Sequence, residues 1–311
     1  MRRLQALALA TAALIALPLA AQPVPAPDAG GTTPPVPLLW QVSDADNSLY
    51  LLGSFHLLKS TDYPVSADVE AAFSDAERLV FEVAPAELTD PSTGMKMLTA
   101  SGFEDGRTLS EVLDAKQLAG LDALLEPTGQ SAAMLEAFEP WFVNLSIVIG
   151  MSQRLGFSGE EGLDQYLIRR SAEAGKPASG LETIDEQLAS LDNMPMDEQV
   201  SALVELIDDP KGLKTDLLRM HDAWRAGDVD AMHALAVDEM RAKTPESYRL
   251  VNVARNDAWV PQLRAMLDAP GEDDVLVVVG AMHLLGEDGV VEKLRAEGLD
   301  VVRVCSACEA P

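Results

Sequence analysis

Several things are scarce in this 311-residue chain, and each scarcity excludes something. Its 23 lysines and arginines face 50 aspartates and glutamates, giving a formal net charge of −27 that repels nucleic-acid phosphates and anionic lipid surfaces. Nucleic acid is therefore not expected as a partner. Past Leu19 no apolar run approaches the length of a bilayer span, so stable membrane insertion is not expected either. Two cysteines cannot supply the four thiolates of a structural zinc site. No glycine-rich phosphate loop or dinucleotide fingerprint occurs, which leaves nucleotide chemistry without support. With 4 Trp, 4 Tyr and 7 Phe, the interior must be mostly aliphatic. Histidine, a side chain that titrates near neutral pH, is as scarce as Trp or Tyr: the 4 are His56, His221, His233 and His283.

What is present begins with an export pattern. Arg2 and Arg3 precede an uncharged apolar run from Leu4 to Leu19, and Ala20 and Ala21 provide small residues before Gln22, the layout of a secretory signal peptide over residues 1–21. The mature protein is then expected in the periplasm or outside the cell. Residues 22–37, with VPAPDAGGTTPPVP, have the composition of a Pro-rich disordered linker, and the folded domain is expected over residues 38–311. Nothing in the pattern sets an oligomeric state.

Leu38–Val42 and Leu49–Leu52, separated by a polar turn, read as a hairpin, and Leu79–Phe81 as a strand that follows a helix after Pro64. Helical periodicity covers 109–125, 132–155, 161–174, 196–207, 214–226, 229–237 and 248–267, with a short strand at 178–182 and Thr183 placed to cap the next helix. Val275–Val279 is a β-branched run typical of a strand buried on both faces, followed by a last helix over 290–297 and a strand over 301–304. The expected fold is α/β, a sheet built from N- and C-terminal strands with a large helical insertion.

Two segments match. Leu49-Tyr-Leu-Leu-Gly-Ser-Phe-His-Leu-Leu58 and Leu276-Val-Val-Val-Gly-Ala-Met-His-Leu-Leu285 each run from an apolar strand through Gly to a His three residues on. Ligands of open α/β sheets bind at the carboxyl ends of strands, so His56 and His283 are expected to converge there, the alternative being two hydrogen-bonded core histidines. Glu82 ends its own strand at the same level, and a carboxylate there is costly to bury unless it is paired or bound to metal. Two His and one Glu suit hydrolytic zinc, and equally an acid, a base and an electrostatic stabiliser without metal.

These motifs, together with Gly162-Leu-Asp164, Gly180-Leu-Glu-Thr-Ile-Asp-Glu-Gln187, Arg255-Asn256 and Val279-Gly-Ala-Met-His-Leu-Leu-Gly286, make the chain resemble the TraB/PrgY/GumN family from about Leu39 to Val304. It looks closest to the bacterial GumN-like branch, and the animal members of the family are the Tiki proteases. The resemblance implies a fold similar to erythromycin esterases and haem-associated ChaN-like proteins. For the Tiki members it implies a divalent-metal-dependent peptidase using both histidines and an acidic residue, here His56, His283 and Glu82, with Glu182, Arg255 and Asn256 lining the site. Manganese, cobalt or zinc is the cofactor it implies, and a peptide or protein the substrate. Met282 stands where a small residue is expected, which implies a narrower or more apolar crevice.

Other residues carry lesser expectations. Glu182 and Gln187 flank a helix start, where helix-terminus electrostatics competes with a lining role, and Arg255 and Asn256 either hold Glu82 or a substrate carboxylate or face solvent. Ser54, two residues from His56, offers a weaker serine-hydrolase reading. His221 and His233 lie in polar helical segments and are expected at the surface. Cys305 and Cys308 are expected to form a local disulfide in an oxidising compartment, in preference to a thioredoxin-like redox motif. The leading expectation is an exported hydrolase, a metal-dependent peptidase. The rival is a non-catalytic periplasmic protein that binds haem or a peptide in the same crevice.

Overall fold

A computed structural model describes residues 33–308. The expected signal peptide and most of the linker lie outside the described residues. The linker's last residues are not a free spacer: Pro35 and Pro37 are buried, and the Val36 N–H donates to the Arg225 carbonyl at 2.8 Å.

Strands β1 (Leu39–Ser43) and β2 (Ser48–Ser54) form the expected antiparallel hairpin. Asp44 closes its turn, with Oδ1 accepting the N–H groups of Asp46 and Asn47 at 3.0 Å each. With β3 (Arg78–Val83), β4 (Ala178–Glu182), β5 (Val275–Gly280) and β6 (Val301–Arg303), they build one sheet in the order β4-β3-β5-β2-β1-β6. The mixed α/β class is as expected. β5 is buried along its whole length and lies parallel to both β2 and β3, so the most apolar segment of the chain becomes the centre of the sheet. Strand β4 joins from within the helical insertion, parallel to β3, while β6 pairs with β1 at the other edge.

Among the described residues ten longer helices accompany the sheet: α1 (Ala67–Asp75), α2 (Thr93–Ala100), α3 (Ala115–Leu125), α4 (Pro140–Arg154), α5 (Leu163–Ala174), α6 (Ile184–Asp192), α7 (Met196–Asp208), α8 (Pro210–Ala226), α9 (Ala254–Leu267) and α10 (Val290–Ala296). Several expected helices are divided, for local reasons. The run over 109–125 breaks before Asp114, whose side chain and that of Gln117 cap each other's backbone N–H groups and start α3 afresh. The run over 132–155 becomes a short 3-10 turn and then α4, with Pro140 at the first helical position. Thr183 does cap α6, in a capping box with Glu186. Two π-turns, His233–Asp238 and Arg249–Val253, interrupt the segments read as 229–237 and 248–267.

Candidate functional site

The two matched turns leave adjacent parallel strands side by side, because Gly53 pairs with Val279 and Ser54 with Gly280 across β2 and β5. Their contact explains the first glycine: a Cβ on Gly53 would lie 3.1 Å from the Ala281 Cα and 3.1 Å from the Leu38 Cβ. Glu82 arrives on β3, on the other side of β5, and its Oε1 accepts the Gly280 N–H at 2.7 Å. His56, His283 and Glu82 therefore do meet at the carboxyl ends of three neighbouring strands. The His56 Nε2 is 3.8 Å from Glu82 Oε1 and the His283 Nε2 is 4.0 Å from the same oxygen.

The two histidines nevertheless sit in opposite circumstances. His283 is fully buried, and both ring nitrogens are engaged. Nδ1 lies 2.8 Å from the Asn256 Oδ1, an atom that only accepts, so Nδ1 carries the proton. The Asn256 amide is itself held the right way round by its Nδ2–H, donated to the Asp288 carbonyl at 2.8 Å. Nε2 is left as an acceptor and takes an N–H from Arg255 Nη1 at 3.1 Å. Burial, and then the adjacent guanidinium, push the His283 pKa down to about 3, so the ring is neutral at physiological pH.

His56 is 7% exposed, yet neither ring nitrogen makes a regular hydrogen bond. Nδ1 is 3.1 Å from Asp164 Oδ1, close but poorly aligned. Burial works against a charge on this ring, but Asp164 and then Glu82 outweigh it and hold the pKa above the ordinary histidine value. Asp164 belongs to the quoted Gly162-Leu-Asp motif but was not among the residues expected to act. It is fixed by Ser54, whose Oγ–H donates to Asp164 Oδ1 at 3.0 Å and whose Oγ accepts the Asp164 N–H at 3.1 Å. Ser54 is thus a buried strut, and the serine-nucleophile reading fails. The start of α5 docks on this turn through the Leu163 N–H, donated to the Phe55 carbonyl at 3.2 Å. A Cβ on Gly162 would come within 2.5 Å of the His56 carbonyl oxygen, which is why glycine stands there.

Behind Glu82 lies Arg255, which is 5% exposed and therefore does not face solvent. Its Nη2 donates to Glu82 Oε2 at 2.6 Å and to Glu182 Oε1 at 2.6 Å, and Nε donates to both Glu182 oxygens at 3.1 Å. The π-turn at Arg249–Val253 sets the register that turns both Arg255 and Asn256 inward, and its Val251 carbonyl accepts from Arg255 Nη1 at 3.1 Å. Burial alone would raise the Glu82 pKa, but Arg255 leads the groups that hold it near 2, so it is a carboxylate. At Glu182 burial prevails and the pKa is raised despite Arg255. Trp259 closes this layer, packed at a tilt of 49° against His283 with 4.6 Å between ring centroids and donating Nε1–H to Glu182 Oε2 at 3.2 Å.

A small pocket opens onto His56, Glu82, Asp164 and Gln187, walled by Phe81, Val83, Leu88, Ile168 and Val278. Gln187 donates Nε2–H to Glu82 Oε2 at 3.1 Å. His283, Glu182, Arg255 and Asn256 do not line this pocket. They form the layer beneath it, which changes the lining role expected for the last three into a supporting one. Met282 is buried in the core and does not narrow the pocket. His221 is buried too, against the surface expectation, with Nε2 2.9 Å from Asp62 Oδ2, and His233 is partly exposed, 3.5 Å from Asp238. Cys305 and Cys308 are joined in a disulfide just after β6.

As arranged, the three expected metal ligands do not form a metal site. Among the described residues no group of three His, Cys, Asp or Glu side chains is disposed to hold a metal ion. The lone pair that His283 would offer already accepts from Arg255.

The mixed α/β sheet gathers acid, base and guanidinium groups at the carboxyl ends of its parallel strands, the place where open α/β sheets bind their ligands. The chain belongs to the TraB/PrgY/gumN family, whose sequence profile matches residues 38–303. It is 25% identical over 246 residues to Uncharacterized protein YbaP of Escherichia coli (strain K12), covering 79% of this chain and 87% of that protein, with the same figures for YbaP of Shigella flexneri. It is 22% identical over 311 residues to Metalloprotease TIKI1 of Danio rerio, covering 85% of this chain and 62% of the fish protein. No solved structure matches the chain, so the expected likeness to erythromycin esterases and ChaN-like proteins gains no support. Among the described residues no helix is long and apolar enough to cross a membrane.

Proposed function

We propose that this chain is a hydrolase that cleaves peptide bonds, with His56 as its base. The observation that carries the reading is the state of His56: buried, without a regular hydrogen bond at either nitrogen, and set in the wall of a pocket at the carboxyl ends of the strands. Water entering the pocket gives a proton to His56 Nε2 while its oxygen adds to the substrate carbonyl carbon. Asp164 beside Nδ1 and Glu82 beside Nε2 stabilise the imidazolium, which then delivers the proton to the leaving amine. Gln187 spends one amide N–H on Glu82 and has a second for the carbonyl oxygen as it gains charge. Arg255 keeps Glu82 ionised, and His283 positions Arg255 without touching the substrate.

A metal-dependent form is favoured by one observation: both Nε2 atoms face Glu82 Oε1, and each ring has its Nδ1 beside an acceptor, Asp164 or Asn256. The name of the fish relative supports it as well. It requires Arg255 to leave His283. A peptide library read by mass spectrometry separates the two. Cleavage in the presence of chelator that disappears in His56→Gln is the expected result, whereas cleavage only after adding manganese, cobalt or zinc transfers the assignment to the metal form. Peptide bound but never cut, with or without metal, refutes a hydrolase and leaves a binding protein. The proposed location, periplasmic or secreted, rests on the pattern of residues 1–21 and is refuted by finding Met1 intact on a cytoplasmic pool.

A further inference from the structure

Two carboxylates, Glu82 and Asp164, reach the wall of the pocket. Glu82 is already engaged, accepting from Arg255 and Gln187 through Oε2 and from the Gly280 N–H through Oε1. Among the described residues the Asp164 side chain meets His56 and the Ser54 hydroxyl, both through Oδ1. Its side chain is 14% exposed on the pocket wall, so Oδ2 is the outward acceptor of a carboxylate whose other oxygen is already committed. Beside it stands His56, buried and without a regular hydrogen-bond partner, which marks this wall as built for something that is bound. The apolar walls, Leu88 and Ile168 among them, exclude water and strengthen any charge pairing inside. Beyond the pocket, the net charge of −27 draws cationic molecules toward the protein.

We propose that this pocket selects peptides presenting a cationic group, a lysine ammonium, an arginine guanidinium or a free N-terminal ammonium, and that Asp164 Oδ2 is the acceptor that recognises it. The inference rests on the peptide-hydrolase reading but concerns binding, so it is tested without turnover. The ammonium donates to Oδ2, the aliphatic stem of the side chain lies along the apolar wall, and the adjoining peptide is brought beside His56. Asp164 then has two functions on two oxygens, positioning His56 through Oδ1 and choosing the ligand through Oδ2.

The experiment uses fluorescein-labelled peptides of one sequence, N-acetylated, carrying lysine, norleucine or glutamate at a single position, with fluorescence anisotropy in buffer containing chelator. Lysine is expected to bind about tenfold or more tighter than norleucine, with glutamate weaker than either, as a charge-assisted contact in a dry pocket implies. Asp164→Asn should bring lysine and norleucine together, and Asp164→Glu should restore part of the difference, with circular dichroism showing both variants folded. Equal binding of lysine and norleucine to the native protein overturns the proposal. So does a lysine preference that survives in Asp164→Asn, since it would then come from the general surface charge. Repeating the measurement with added manganese should leave the preference in place; its loss would mean that the cation the pocket requires is the metal. Failure of the hydrolase reading alone appears differently, as selective binding with no cleavage.

Discussion

Replacing Arg255 with methionine isolates what holds the lower layer of the site together. The side chain is 5% exposed, and methionine keeps much of its bulk while removing the charge. What disappears is the pairing to Glu82 and to Glu182, both at 2.6 Å, and the donor to His283 Nε2 at 3.1 Å. Two buried carboxylates are left without a counter-charge, and breaking a buried pair in this way costs about 3 to 5 kcal/mol. In a domain of this size that corresponds to a fall in Tm of roughly 6 to 20 °C. The pH dependence identifies the cause. In the native protein the Glu82 pKa is held near 2, below its ordinary 4.5, so its contribution is complete above 4.5 and is lost as pH falls from there toward 2. Without Arg255, burial governs both carboxyls and raises them above their ordinary values, so the variant takes up protons on folding and gains stability as the pH falls. Urea unfolding followed by tryptophan fluorescence at pH 7, 6 and 5 should show the gap between native protein and variant shrinking toward pH 5. Glu182→Gln in the variant background should recover part of the loss. A gap below about 1 kcal/mol, or one unchanged with pH, would refute the pairing as the source of stability.

Proton NMR of the histidines, assigned by single substitutions, should show His56 titrating above its ordinary 6.5 and His283 staying neutral down to about pH 3; the His56 and His283 signals titrating together near 6.5 would contradict the hydrogen-bond assignment. The consequence for stability runs in opposite senses. The depressed His283 makes the native state lose stability as pH drops below 6.5 toward 3, whereas the His56 contribution is present at low pH and is lost as pH rises through its elevated value. Gly162→Ala should cost about 1 to 3 kcal/mol in thermal unfolding and reduce peptide cleavage, because the added methyl pushes α5, and Asp164 with it, away from His56; an unchanged Tm would contradict the tight docking. Reducing the Cys305–Cys308 disulfide, which closes a four-residue segment, should lower stability by about 2 kcal/mol or less and leave peptide binding intact; loss of binding would show that the β6 edge communicates with the pocket.

The parts of the fold legible in the sequence are those whose signal is local. The β1–β2 hairpin announces itself by its turn chemistry, and β5 by five consecutive aliphatic residues, Val275 to Val279. The breaks in the helices were also local, but Asp114 and Pro140 sit inside apolar patterns that periodicity reads as continuous. The order of strands depends on which segment β5 enters between, a matter of packing across more than two hundred residues. At the site, the repeated Gly-x-x-His pattern brought His56 and His283 to notice. Nothing in the repeat tells one histidine from the other, because the difference lies in partners from elsewhere: Asp164 on α5 for the first, Asn256 and Arg255 on α9 for the second. Asp164 had a signal of its own, an acidic residue at a helix start in a quoted motif, but helix-terminus electrostatics explains such a residue equally well. His221 was misread for a related reason, since its partner Asp62 lies 159 residues away.

The insertion of β5 between β2 and β3 makes the pocket a product of the finished chain. Until residues 275–280 are synthesised, β2 and β3 have no common neighbour, His56 and Glu82 are not brought to the same end of a sheet, and Gly280 cannot offer its N–H to Glu82. A chain stopped between Asp164 and Val275 carries His56, Glu82 and Asp164 but lacks the strand that brings His56 and Glu82 to one end of the sheet. Such long-range pairing folds slowly, so the pocket is completed late, when β5 locks into the centre of the sheet.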